Sequence, residues 1–196
     1  MAISQRDFWN GIPSSKIYPL LSLDRLDAVR RLAALGVARI QIRDKENGWG
    51  RHWNALKTAW SVCREAGIPF IINDRADIAL ALGAAGIHVG QEDLSPRLAR
   101  RLLGPGVEIG LSCATREQAE RALADPDVDL LSIGPVFSTP IKPEAPAVGP
   151  ALIRTCAGRG KPLAAIGGIN ASNAREVLDA GADFLAVVRA VEDWLG

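Results

Sequence analysis

Phe70-Ile71-Ile72-Asn73-Asp74-Arg75 and its echo, Ile87-His88-Val89-Gly90-Gln91-Glu92-Asp93, decide how this chain folds. Each is a short apolar run that ends in polar and acidic residues, the pattern of a strand buried on both faces. Between them, Ala76 to Leu82 is made of strong helix formers, and Gly83 supplies the stop. Strand, helix, strand is the right-handed parallel unit, and it brings both strand ends out on one side of the sheet. Asp74 and Asp93, 19 positions apart (93 − 74), are thereby directed to one cleft. Two carboxylates beside one opening suit Mg²⁺, a hard cation that also takes phosphate oxygens. A pair of helix N-caps is the alternative reading.

The same unit recurs outward in both directions. Residues 1–15 read as a short helical lead-in that turns at Gly11-Ile12-Pro13-Ser14-Ser15. Strands are predicted over 17–21, 38–42, 108–113, 130–136, 162–166 and 184–188, although Pro19 weighs against a central strand. Helices are predicted over 24–35, 49–66, 96–103, 116–124, 150–157, 172–180 and 190–195. With the opening pair this makes eight strands alternating with helices. The expectation is an α/β chain forming a single compact (β/α)8 TIM barrel domain over 1–196. An open doubly wound sheet is the alternative. Its nucleotide fingerprint is missing, because Gly104-Pro105-Gly106-Val107-Glu108-Ile109-Gly110 has its third glycine one place late.

The 23 basic and 22 acidic residues give a net charge of +1, so neither nucleic acid nor an anionic membrane is an expected partner. No apolar stretch reaches the roughly 18 residues of a membrane span, and the first residues show no apolar signal region. Cys63, Cys113 and Cys156 are widely spaced, with no Cys-x-x-Cys, which argues against zinc or a disulfide framework and for the cytoplasm. A homo-oligomer is compatible with the sequence.

In such a barrel the chemistry collects at the carboxyl ends of the strands. Those ends carry Gln41, Arg43 and Lys45; Asn73 and Asp74; Gln91 and Asp93; Ser112 and Thr115; Ser138, Thr139 and Lys142; Gly167 and Gly168; and Arg189. Arg43 and Lys45 alternate along an extended segment and face the same way, and both suit phosphate. A solvated pair is their bland alternative. Gly167-Gly168 lets a backbone approach an anion, and the helix after Asn170 offers N–H groups, unless Asn170 is simply the N-cap of a tight turn. The 137–149 loop reads as a lid or as a plain connector. His88, between Ile87 and Val89, is expected to be a core residue or to support a neighbour, and His52 to lie on the surface. Trp49, Trp53 and Trp60 are placed on one helix as packing residues.

Together these residues resemble the thiamine phosphate synthase family from Tyr18 to Ala190. The resemblance is carried by Gln41-Ile42-Arg43-Asp44-Lys45, Ile72-Asn73-Asp74-Arg75, His88-Val89-Gly90-Gln91-Glu92-Asp93-Leu94, Gly134-Pro135-Val136-Phe137 with Thr139-Pro140-Ile141-Lys142, and Ala165-Ile166-Gly167-Gly168-Ile169-Asn170. It implies joining of hydroxymethylpyrimidine diphosphate to thiazole phosphate, giving thiamine monophosphate and pyrophosphate. It implies Asp74 and Asp93 as Mg²⁺ ligands, and Gln41, Arg43, Lys45, Asn73, Ser112 and Lys142 as contacts to the pyrimidine diphosphate. It implies Thr139 and Gly168 as contacts to the thiazole phosphate. Arg43, Lys45 and Lys142 would stabilise the departing diphosphate. Three positions depart from the family pattern: Ala114 where a histidine is usual, Ile141 where a threonine is usual, and Arg189 where a serine is usual. All fall on the thiazole half. A thiazole tautomerase-like paralogue and a non-catalytic phosphate-ligand binding protein are the competing readings.

Overall fold

The computed structural model describes residues 9, 11–45, 48–141 and 143–195. Most of the expected lead-in, and Lys142, lie outside the described residues. Eight parallel strands close on themselves in chain order. They are β1 (Ile17–Leu21), β2 (Ile40–Ile42), β3 (Phe70–Asn73), β4 (Gly86–Val89), β5 (Glu108–Cys113), β6 (Leu130–Ile133), β7 (Leu163–Ile166) and β8 (Phe184–Val187). The helices outside them are α1 (Val29–Ala34), α2 (Trp53–Glu65), α3 (Ala76–Leu82), α4 (Pro96–Leu103), α5 (Arg116–Ala124), α6 (Gly149–Cys156), α7 (Ala174–Asp179) and α8 (Glu192–Leu195). This is the expected TIM barrel.

Strand alternation splits the interior in two. Outward residues such as Ile40, Ile42, Ile72, Ile87 and Ile109 join the helices in the larger apolar cluster. Tyr18, Leu20, Ile71, Leu130, Ala164 and Ala186 form a second cluster that fills the barrel. The polar residues Arg39, Gln41, Asn73, His88 and Ser132 are also buried. Their strand parity matches that of the filling cluster, so the lumen is partly polar. At its amino-terminal end Arg39 pairs with Glu108. The Arg39 guanidinium lies 4.4 Å from the Phe184 ring centroid and 5.4 Å from that of Tyr18.

Two glycines make room for these side chains. A Cβ on Gly110 would lie 2.5 Å from Nδ1 of His88, and one on Gly86 would lie 2.9 Å from the Glu108 carbonyl oxygen. Gly110→Ala therefore overpacks the lumen and should cost about 1–3 kcal/mol. The check is a lower urea midpoint at unchanged slope.

Several expected boundaries move. Pro19 does sit inside β1, opposite Val187 of β8. The carbonyls of Ile17 and Leu21 accept from Ala38 and Arg43, so the nitrogen of Pro19 also faces the β2 side. With no N–H to give there, the pairing lapses and β2 begins at Ile40, not at 38. β6 ends at Ile133, short of 136, and the chain goes on through a cis Gly134-Pro135 bond. It then bonds along β7, with the Val136 amide donating to the Ile166 carbonyl (2.8 Å) and the Phe137 amide to that of Gly167 (3.0 Å). α2 starts at Trp53, so Trp49 is not on that helix. It is buried in the turn before it.

Candidate active site

Asp74 follows β3 directly and has φ +60°, a conformation that non-glycine residues seldom adopt. The Arg75 amide closes a three-residue turn onto the Asn73 carbonyl (2.7 Å), and the Asp74 amide donates to the His88 carbonyl (2.8 Å). Strain of this kind, roughly 1–3 kcal/mol, persists where the surroundings hold it, and it gathers at functional sites. Here it aims the carboxylate at Asp93. Burial raises the Asp74 pKa first, and the adjoining Asp93 carboxyl raises it further through a hydrogen bond and its charge. Lys45 opposes this, with Nζ 3.4 Å from Asp74 Oδ2. Asp93 is exposed, and its Oδ2 accepts from the Gly90 amide (2.8 Å).

Neither aspartate caps a helix. The N-cap of α3 is Arg75, and α4 is capped by Ser95, whose hydroxyl accepts from the Leu98 amide. The two carboxylates are therefore free to act as a pair.

Beneath them the lumen supplies a neutral polar floor. The Gln41 amide nitrogen donates to the Tyr18 hydroxyl (2.7 Å), while Gln41 Oε1 is buried without a partner among the described residues. His88 Nε2 lies 2.9 Å from the Ser112 hydroxyl oxygen, and Gln91 donates to the Ser112 carbonyl (2.7 Å). Asn73 is buried beside them at the end of β3. Arg43 is half-buried, and its charge adds to the forces that keep His88 neutral.

Burial is the first cause of the low pKa of His88, which falls from 6.5 to about 4, against the pull of Asp93. A base whose folded pKa is depressed binds fewer protons in the folded state. Its contribution is present above pH 6.5 and is lost as pH falls toward 4. At about 1.4 kcal/mol per pH unit this amounts to about 3 kcal/mol. The raised carboxyls of Asp74 and Glu108 act in the opposite sense. The melting temperature should fall between pH 6.5 and 4.5, and the fall should be shallower in His88→Gln.

The opposite rim is built from backbone. Gly167 and Gly168 have φ +100° and +66°, and a Cβ on Gly168 would lie 2.8 Å from the Ser138 carbonyl. The two glycines thus let the β6–α6 loop lie on the end of β7, which brings Thr139 to the same rim. The expected free N–H groups after Asn170 are not free. The Asn170 amide donates to Asn173 Oδ1 and the Ser172 amide to Asn170 Oδ1, both at 2.9 Å. The amides of Asn173 and Ala174 donate to the Asn170 carbonyl. Asn173, not Asn170, is the N-cap position of α7.

Thr115 also leaves the rim. It caps α5, accepting from the Gln118 amide, while Gln118 Oε1 accepts from the amide of Ala114, the residue before the cap (2.6 Å). Arg189 follows β8, is exposed, and makes no ion pair among the described residues. Gln41, Arg43, Lys45, Asn73, Asp74, Asp93 and Ser112 thus gather on one side of the mouth, and Thr139 and Gly168 on the other. Tyr18 and Gly90 belong to the first group as supports. Tyr18 could have been found from the inward parity of β1, whereas the Gly90 contact had no sequence signal.

A closed parallel barrel with this rim has the architecture of TIM-barrel enzymes, which act at the carboxyl ends of their strands. A family model described as thiamine monophosphate synthase matches residues 16–191. The thiamine-phosphate synthase of Coprothermobacter proteolyticus is 44% identical over 157 residues, covering 80% of this chain and 74% of that protein. A chloroplastic thiamine biosynthetic bifunctional enzyme of Oryza sativa subsp. japonica is 42% identical over 171 residues, which are 85% of this chain but 31% of that protein's length. The thiamine phosphate pyrophosphorylase structure from Pyrococcus furiosus superposes with a TM-score of 0.78 at 30% identity, covering 93% of this chain and 98% of that one. The chain belongs to the thiamine monophosphate synthase family.

Proposed function

We propose that the protein is a thiamine-phosphate synthase, a transferase that joins hydroxymethylpyrimidine diphosphate to thiazole phosphate and releases pyrophosphate. The observation that carries this reading is the apposition of Asp74 and Asp93 across from Lys45, above a floor of neutral polar groups. The Asp93 carboxylate raises the cost of charge on Asp74, which fits a divalent cation between them. Asp74 and Asp93 would hold Mg²⁺, which supplies positive charge to the oxygens of the diphosphate.

The residues divide the remaining work. Arg43 and Lys45, with Lys142, meet the diphosphate and stabilise negative charge as it leaves. Gln41, Asn73 and Ser112 orient the pyrimidine diphosphate, and the unpaired Gln41 Oε1 offers an acceptor to a ring donor. The bond from the pyrimidine methylene carbon to the diphosphate oxygen breaks, and its electron pair leaves with pyrophosphate. The lone pair of the thiazole nitrogen then forms the new carbon–nitrogen bond. No proton moves, so the absence of a poised protein base among these residues is no obstacle. Thr139 and Gly168 take the thiazole phosphate, and Arg189 adds a cation on that side. Ile141 replaces a hydroxyl, yet its amide still donates to Thr139 Oγ1 (3.3 Å) and keeps the turn.

Both substrates are small molecules. No helix among the described residues is long and apolar enough to cross a membrane, and three free buried thiols suit the cytoplasm as the proposed compartment.

Purified protein incubated with Mg²⁺, hydroxymethylpyrimidine diphosphate and thiazole phosphate tests the proposal. Stoichiometric pyrophosphate and thiamine phosphate support it. Pyrophosphate alone would mean that Arg189 and Ile141 have altered the thiazole side. Ligand binding with neither product would favour a binding protein.

A further inference from the structure

His88 has one nitrogen accounted for and one that, among the described residues, faces nothing able to bond it. Nε2 lies 2.9 Å from Ser112 Oγ. Nδ1 is buried without a partner among the described residues. It looks onto the α-carbon face of Gly110, where a Cβ would lie 2.5 Å away. That face presents C–H, not a hydrogen-bond acceptor. The ring is 7% exposed, so solvent does not supply one either.

A neutral imidazole carries its proton on one nitrogen only. A proton on Nδ1 would create an orphaned buried donor, while a bare Nδ1 is only an under-satisfied acceptor, softened by a C–H contact. The second arrangement costs less, and it puts the proton on Nε2. Nε2 then donates to Ser112, whose oxygen is thereby an acceptor toward the lumen and whose own hydrogen must point elsewhere.

We propose that His88 is a positioning residue that, by donating from Nε2, turns the Ser112 hydroxyl into an obligate donor toward the anionic substrate. This rests on the synthase reading for the identity of that substrate, and it assigns Ser112 to stabilising the diphosphate as charge collects on it. Had the tautomer been the other, Ser112 would spend its hydrogen on His88 and present only lone pairs to an anion. Ser112 also shares the mouth with Gln91, which fixes its backbone from above through the Ser112 carbonyl.

Two measurements test it. The first needs no substrate: the ¹⁵N spectrum of histidine-labelled full-length protein, with the His88 signals assigned by comparison with His52→Gln. Nε2 should resonate as a protonated, pyrrole-like nitrogen and Nδ1 as a bare, pyridine-like one. A protonated Nδ1 overturns the proposal whatever the activity. The second reads kcat. Gln places a donor amide near the Nε2 position, whereas Asn reaches only the Nδ1 position. His88→Gln should stay within a few-fold of wild type, while His88→Asn should lose ~10- to 100-fold, as Ser112→Ala should, the range for one hydrogen bond to a charged group. In the Ser112→Ala background neither His88 substitution should lower kcat further. Losses that multiply would make His88 merely structural and overturn the assignment. If wild type is inactive in the synthase assay, the nitrogen spectrum still decides the tautomer, so the two failures stay separate.

Discussion

Asp93→Asn should lower kcat/KM for pyrophosphate release by about 100-fold or more while leaving the fold intact. The reasoning begins with what Asp93 does for the fold. Its Oδ2 accepts a hydrogen bond from the Gly90 amide, its carboxyl meets that of Asp74, and the residue is exposed. An asparagine carbonyl oxygen accepts the same bond at the same place, so the loop after β4 loses nothing. What the substitution removes is one of the two negative charges that face each other across the mouth. The Asp74 carboxyl should return toward its ordinary pKa, because the adjoining carboxyl is among the causes that raise it. With Lys45 already beside Asp74, the remaining site has too little negative charge to compete for Mg²⁺. Isothermal titration with Mg²⁺ and substrate diphosphate should show the lost affinity directly. A variant that turns over at the wild-type rate would remove the carboxylate pair from the mechanism and leave Asp74 strained for no catalytic purpose.

The largest stability effect is expected at the other end of the barrel, where Glu108→Ala should cost about 3 kcal/mol and lower the melting temperature by about 5–10 °C. Arg39 is held between two aromatic rings, and its side chain is 9% exposed. Without Glu108 its charge has no counterpart in a poorly solvated place. The Glu108 side chain is 29% exposed, so some water can enter, which puts the effect at the low end for a buried pair. Burial raises the Glu108 pKa and Arg39 pulls it down, so the pair works against a real desolvation cost. Replacing both partners together, Arg39→Met with Glu108→Leu, should recover most of the loss, since no orphaned charge remains. If Glu108→Ala melts with the wild type and the double variant is no better, the pair is not what closes the barrel floor.

Much of the architecture follows from local signals. Apolar runs of four to six residues, helix formers between them and glycines at helix ends are each read within a few neighbouring positions. A repeating strand–helix unit leaves the connections little topological freedom. The same regularity brought Asp74 and Asp93 to one side, since strands that run parallel end together. Their cap-like alternative fell only when Arg75 and Ser95 were found in the cap positions. Where the local reading slipped, a specific competitor was at work. Pro19 removed a donor from the β1–β2 ladder and shortened β2. Thr115 spent its side chain on a helix start, and Asn173 turned its own back to the Asn170 amide and the Gly168 carbonyl. The amides at 170, 172, 173 and 174 were already taken within the turn.

The eightfold repeat, the closed barrel and most of the residues at its mouth follow from the chain alone, because strand periodicity and helix stops are short-range properties. Which side chains meet inside the barrel follows only from the assembled sheet. Tyr18 with Gln41, Arg39 with Glu108 and His88 with Ser112 are separated by 23, 69 and 24 positions. Each pair forms because closing the sheet points alternate residues of different strands into one lumen. Parity along a strand can be read from the chain, but the partner across the barrel depends on register, and register is set by how all eight strands pack at once.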